Sequence, residues 1–404
     1  MTAGVIADVI QAARLRSPAA EAAPPPSGAV LSLAVGDFRC YRRAELSPEG
    51  ASVVLTGPNG AGKTNLLEAV SFLAPGRGLR RAKLAEIDRR PRPGEPAAGR
   101  WAVAASLDGP AGAVAIGTGR DPDAEEEFGR RVVRIDGTPQ RGPAVLADHA
   151  ALAWLTPAMD RLFADGAGAR RRFLDRLALG LDPNHARRVA AYDQAMRERG
   201  RLLQQGGADP GWLDALEATM AAEGVAVAAT RRALVARLAV AAAEAADGFP
   251  RPLLALEGEL AGWLAAVPAL EAEERLMRAL AAARRRDAET GAAGAGPQRD
   301  DLAVVFAATG MPARLCSTGE QKALLIAIVL AHARLVAAER GRPPLLLLDE
   351  IAAHLDRERR AALFRAIRLI GCQAWLTGTD EALFQPLSGG ARFYRVAEAR
   401  IEPR

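Results

Sequence analysis

Apolar residues change their spacing twice along the chain. In residues 31–35, 52–56, 101–107, 113–117 and 132–135 they form short strand-like runs, separated by Gly-Pro and Asp-Gly pairs that suit turns. These runs predict a mixed or antiparallel sheet beside the strand 52–56. From about residue 157 the spacing becomes helical. Segments 160–205, 212–247 and 270–286 are rich in Ala, Leu, Arg and Glu, with apolar residues every three or four positions. Breaks at 206–207, 248–250 and 291–297 interrupt them, too often for a long coiled coil. From residue 301 short and helical runs alternate: strand 302–306, helix 319–340, strand 345–348, helix 357–370 and strand 373–376. The pattern predicts an α/β protein with mixed sheets and an inserted α-helical lobe. The head divides into 29–157 and 296–404, the lobe spans 158–295, and the Ala-rich residues 1–28, ending near Pro24-Pro25-Pro26, are expected to be a flexible extension. No internal repeat is visible.

The strand 52–56 runs into Gly57-Pro58-Asn59-Gly60-Ala61-Gly62-Lys63-Thr64, and a helical stretch from Asn65 follows. This is the strand, G-x-x-x-x-G-K-[ST], helix order of a phosphate-binding loop. Glycines let backbone amides turn around a phosphate, and the helix adds its positive N-terminus. Lys63 would neutralise the β- and γ-phosphates of ATP, and Thr64 would give its hydroxyl to Mg²⁺.

The apolar run 345–348 ends in Asp349 and Glu350. Such a run suits a strand buried on both faces, and acids at its carboxyl end lie where ligands bind in α/β folds. Asp349 would hold Mg²⁺, and Glu350 would act on the attacking water as general base. Upstream, Ser317-Thr318-Gly319-Glu320-Gln321 opens the helix 319–340. A hydroxyl, a glycine and a helix N-terminus make a second anion site, although the same residues also form a plain capping box.

Composition narrows the picture further. Of 53 basic residues only Lys63, Lys83 and Lys322 are lysine, so a lysine in the phosphate loop stands against the chain's bias to arginine. The net charge of +5 and pI of about 9.5 are compatible with nucleic acid without requiring it. Cys40, Cys316 and Cys372 lie far apart and read as buried thiols of a reducing cytosol. No apolar run reaches the roughly 20 residues of a membrane span.

Phosphate loop, long insert, signature, acid pair: this is the order of ABC-type ATPases. More narrowly, the chain resembles the RecF family, bacterial DNA replication and repair proteins related to the heads of structural-maintenance-of-chromosomes ATPases. The stretches that carry the resemblance are 57–67 (GPNGAGKTNLL), 76–81 (GRGLRR), 160–177, 296–301 (GPQRDD), 316–323 (CSTGEQKA) and 348–356 (LDEIAAHLD). It covers roughly residues 29–400.

The resemblance implies an ATPase head that dimerises on ATP, with Ser317–Gln321 of one copy closing over the triphosphate held by another. It implies DNA binding at single-strand/double-strand junctions and partnership with RecR and RecO. Thr377 takes the place of a switch histidine and would sense the γ-phosphate. Gln298 stands where the family usually has histidine. Candidate DNA contacts are Arg80, Arg81, Lys83, Arg170 and Arg171, all phosphate-directed and salt-sensitive. A transporter ATPase subunit and a chromosome-type DNA clamp are the rival readings.

Overall fold

The computed structural model describes residues 28–91, 94–121, 130–206, 209–244 and 248–404. The expected flexible extension lies outside the described residues, apart from Gly28. The described residues fall into two compact units, one within residues 1–159, 246–249 and 332–404, and one within residues 160–245 and 250–331.

The first unit holds two six-stranded sheets. One is antiparallel, built from β1 (Val30–Phe38), β2 (Tyr41–Leu46), β4 (Ala102–Gly109), β5 (Gly112–Arg120), β6 (Arg131–Ile135) and β7 (Thr138–Pro139), in the order β2-β1-β4-β5-β6-β7. The other includes β3 (Ser52–Thr56), β8 (Leu152–Leu155), β12 (Leu345–Leu348), β13 (Ala374–Gly378), β14 (Ala391–Ala397) and β15 (Arg400–Pro403), in the order β15-β14-β3-β13-β12-β8. Five of these six strands run parallel, and only β15 is antiparallel. Their carboxyl ends therefore share one edge, which is where ligands bind in such sheets. The run Leu345–Leu348 is buried throughout, as a strand covered on both faces should be.

The helix Lys63–Ser71 packs against both β1 and β13. It contributes Leu66, Leu67, Ala69 and Val70 to a core shared with Phe38, Leu55, Trp101 and Trp375. The rings of Phe38, Phe72 and Trp101 meet edge-on or tilted, with centroids 4.8–6.1 Å apart. Arg131, also buried, donates to the carbonyls of Ala74, Gly76 and Phe72 just past this helix.

The second unit is not purely helical. Its helices are Ala167–Leu179, His185–Gln205, Pro210–Ala243, Glu259–Ala266 and Ala269–Thr290. They are joined by an antiparallel sheet of β9 (Pro252–Glu257), β10 (Asp301–Phe306) and β11 (Met311–Pro312). The expected helix 160–205 is two helices, parted at the Gly180-Leu181-Asp182-Pro183 stretch, where proline removes a donor. The strand 302–306 was expected in the head, with a return at residue 296. Both it and the signature turn instead belong to the second unit, which ends at Ala331.

The chain passes back to the first unit within the helix Thr318–Arg340. That helix is long and apolar enough to cross a membrane by length and composition, unlike any run anticipated in the sequence, but most of it is buried inside the protein.

Candidate active site

The phosphate loop leaves the carboxyl end of β3 and enters the helix Lys63–Ser71. Gly57 adopts φ 148°, and a Cβ there would stand 2.0 Å from the Val396 carbonyl oxygen of β14. Gly62 adopts φ 115° and is the N-cap of the helix. Both positions demand glycine. No side chain caps the helix and its first turn carries no acid, so nothing there opposes an anion at its positive end. The Lys63 ammonium is nearly buried and donates to the carbonyls of Gly57 and Pro58 at 2.8 and 2.9 Å. Burial pulls its pKa below the ordinary lysine value, while Glu350 and Asp349 oppose that shift.

Three parallel strands bring the remaining groups alongside. The Thr64 hydroxyl donates to the Asp349 carboxylate at the end of β12, 2.8 Å from Oδ1. Thr377 on β13 donates to the same Oδ1 at 2.8 Å and accepts the Glu350 amide at 2.9 Å. Thr377 is 1% exposed. Its hydroxyl thus holds the two acids, a role the sequence does not reveal. Glu350 sits at φ 55°, a left-handed conformation that is strained for a non-glycine residue.

A hydroxyl and one carboxylate beside a phosphate cradle are the hard oxygen donors Mg²⁺ takes when substrate phosphates supply the rest. Among the described residues there is no cluster of three or more His, Cys, Asp or Glu that could hold a metal unaided. The residues fit Mg²⁺·ATP: Lys63 and the loop amides would bind the phosphates, Thr64 and Asp349 would bind the ion, and Glu350 would orient water.

The signature turn forms its own closed network. The Ser317 hydroxyl and amide both donate to Glu320 at 2.8 Å, and the Glu320 amide returns to Ser317 Oγ at 3.3 Å. This is the reciprocal capping box the sequence also allowed. Gln321 donates to the Cys316 carbonyl at 2.8 Å, and Lys322 pairs with Asp160 at 3.1 Å. Thr318 and Gly319 are exposed at the helix start.

The candidate DNA residues divide. Arg81 and Lys83 are exposed. Arg80 is also exposed but donates to Asn65 at 2.7 Å and to the buried Glu68 at 2.9 Å, a carboxylate that also takes Arg39. Arg170 forms a two-pronged pair with Asp301, both contacts at 2.7 Å, and Arg171 donates to the Asp300 carbonyl at 2.7 Å. These two arginines tie the start of β10 to the helix Ala167–Leu179. Gln298 accepts the Tyr192 hydroxyl and donates to the carbonyls of Ala293 and Ala295.

The phosphate loop and acid pair on this sheet plan define an ABC-type ATPase head. A family model described as "AAA domain, putative AbiEii toxin, Type IV TA system" matches residues 52–96, around the phosphate loop. The chain is 49% identical over 376 residues to the DNA replication and repair protein RecF of Mesorhizobium japonicum, covering 93% of this chain and 97% of that one. It is 50% identical over 387 residues to that of a Caulobacter species, covering 92% and 97%. This protein belongs to the RecF family.

Solved structures agree on the fold. One titled as the recombination mediator protein RecF-ATPrS in the RecFOR pathway superposes with a TM-score of 0.79 at 20% identity, covering 94% of this chain and all of that one. The Smc head domain from Pyrococcus furiosus matches at 0.52 and 14%, covering 93% and 96%.

Proposed function

We propose that this protein is an ATP-dependent, DNA-binding recombination mediator that acts in the cytoplasm at single-strand gaps during repair and replication restart. ATP, with Mg²⁺, joins two copies, each phosphate loop being closed by the Ser317–Gln321 turn of the other. Hydrolysis is slow, is stimulated by DNA, and releases the dimer. RecR and RecO are the expected partners, and DNA contact at single-strand/double-strand junctions runs through exposed basic residues such as Arg81 and Lys83.

One observation carries the reading: Glu350, held at φ 55° by the Thr377 hydroxyl, stands at the strand edge that also presents Lys63, Thr64 and Asp349. A water-activating acid beside a magnesium-binding pair is the equipment of a hydrolase, and the family membership supports work on DNA.

The test is Glu350→Gln, which keeps the side chain's size and removes its basicity. Light scattering with saturating ATP and gapped duplex should show this variant as a stable dimer. Lys63→Ala should remain monomeric. A Glu350→Gln protein that stays monomeric under those conditions refutes the shared-site mechanism.

A further inference from the structure

The tight turn between β1 and β2 lies against the phosphate loop. Arg39, at φ 55°, reaches Glu68 on the phosphate-loop helix, and the Cys40 thiol accepts the Asn65 side-chain amide at 3.1 Å. Tyr41 is fully buried in the core that also holds Leu66 and Leu67. Its hydroxyl has no hydrogen-bond partner. The oxygen lies under Gly62: a Cβ at that residue would stand 2.5 Å from it and 2.8 Å from the Cys40 sulfur.

A buried hydroxyl without a partner is destabilising, so an orphan in a well-packed core calls for a reason. Burial, with the neighbouring Cys40, pushes the phenol's pKa up, so the group keeps its proton and remains a donor. The backbone nearest that donor is the glycine turn of the phosphate loop, the element that must adjust when its amides draw in around a phosphate.

We infer that Tyr41 is a positioning residue of the nucleotide site. Its hydroxyl is held in reserve in the free protein and donates to a backbone carbonyl of the 60–62 turn when the loop tightens on a triphosphate. The inference deepens the proposed ATP site and rests on it. Tyr41 touches no substrate; it stabilises the closed shape of the loop from beneath.

The experiment compares wild type with Tyr41→Phe, which removes one oxygen and leaves the ring. Calorimetric titration with Mg²⁺·ATP, melting temperature with and without nucleotide, and the split of KM from kcat are the readouts. The free variant should melt no lower than wild type, because no bond is lost. Its Kd and KM for ATP should rise about fivefold, the size of one neutral hydrogen bond, with kcat unchanged. Equal ATP affinity in the two proteins overturns the inference, and so does a lower melting point of the free variant, which would mean the hydroxyl was already bonded. Absence of ATP binding by wild type itself would instead remove the nucleotide site, and this role with it.

Discussion

Thr377→Val separates two meanings of the threonine beside the acid pair. Valine keeps the volume of the buried side chain and deletes its hydroxyl. In the free protein that hydroxyl donates to Asp349 at 2.8 Å and accepts the Glu350 amide at 2.9 Å. A hydrogen bond to a charged group contributes about 1.5–3 kcal/mol, and stranding a part-buried amide costs about 1–3 kcal/mol. The combined loss, after some relaxation, should be about 3 kcal/mol. For a unit of this size that lowers the melting temperature by roughly 6–12 °C. Fluorescence of buried Trp375, two positions along the same strand, follows the transition, with no nucleotide present. The ATPase rate should fall as well, because Glu350 loses the anchor that holds its strained backbone, and Thr377→Ser should recover most of both. If Thr377→Val is as stable as wild type without nucleotide and is impaired only with ATP, the hydroxyl serves the γ-phosphate after all.

Asp300 is wholly buried, and burial pushes its pKa up to about 6 against the pull of Arg231 and Arg171. The folded state therefore holds a proton that the unfolded state releases between about pH 4 and 6, so this group's contribution to stability falls as pH rises through that window. Asp300→Asn should gain on wild type by up to about 3 kcal/mol between pH 4 and 7, measured by urea unfolding at both; a difference that stays constant with pH refutes it. On the DNA side, replacing Arg81 and Lys83 with alanine should flatten the salt dependence of duplex binding by up to about two in log–log slope. Arg170→Ala should instead lower the melting temperature and leave that slope unchanged.

The candidate site is legible where chemistry forces residue types into a fixed spacing. Glycines at 57 and 62, lysine at 63 and a hydroxyl at 64 have few other uses in that order, and an apolar run ended by Asp349 and Glu350 reads as a buried strand. Partners were harder to see. Arg170 and Arg171 look like any basic run on a helix, and only the fold brings Asp300 and Asp301 against them, 129 and 131 positions away. Tyr41 gave no signal because a buried aromatic residue in a strand is ordinary, and its importance lies in what its oxygen lacks. The strand β9 escaped because its exposure merely alternates between two helical stretches, and β14 and β15 lie beyond the last run the pattern picked out. The break before His185 was visible in Pro183 and was outweighed by the helical composition on either side.

The wall behind Gly57 is the carbonyl of Val396, supplied by a strand that pairs with β3 from the far end of the polypeptide. During synthesis the loop therefore emerges long before the strand that braces it. A ribosome stalled short of residue 396 would carry Lys63, Thr64, Asp349 and Glu350 and no finished cradle. Competence for nucleotide arrives with the strand Ala391–Ala397, so a chain released before it should fail to bind ATP rather than bind it and misfire.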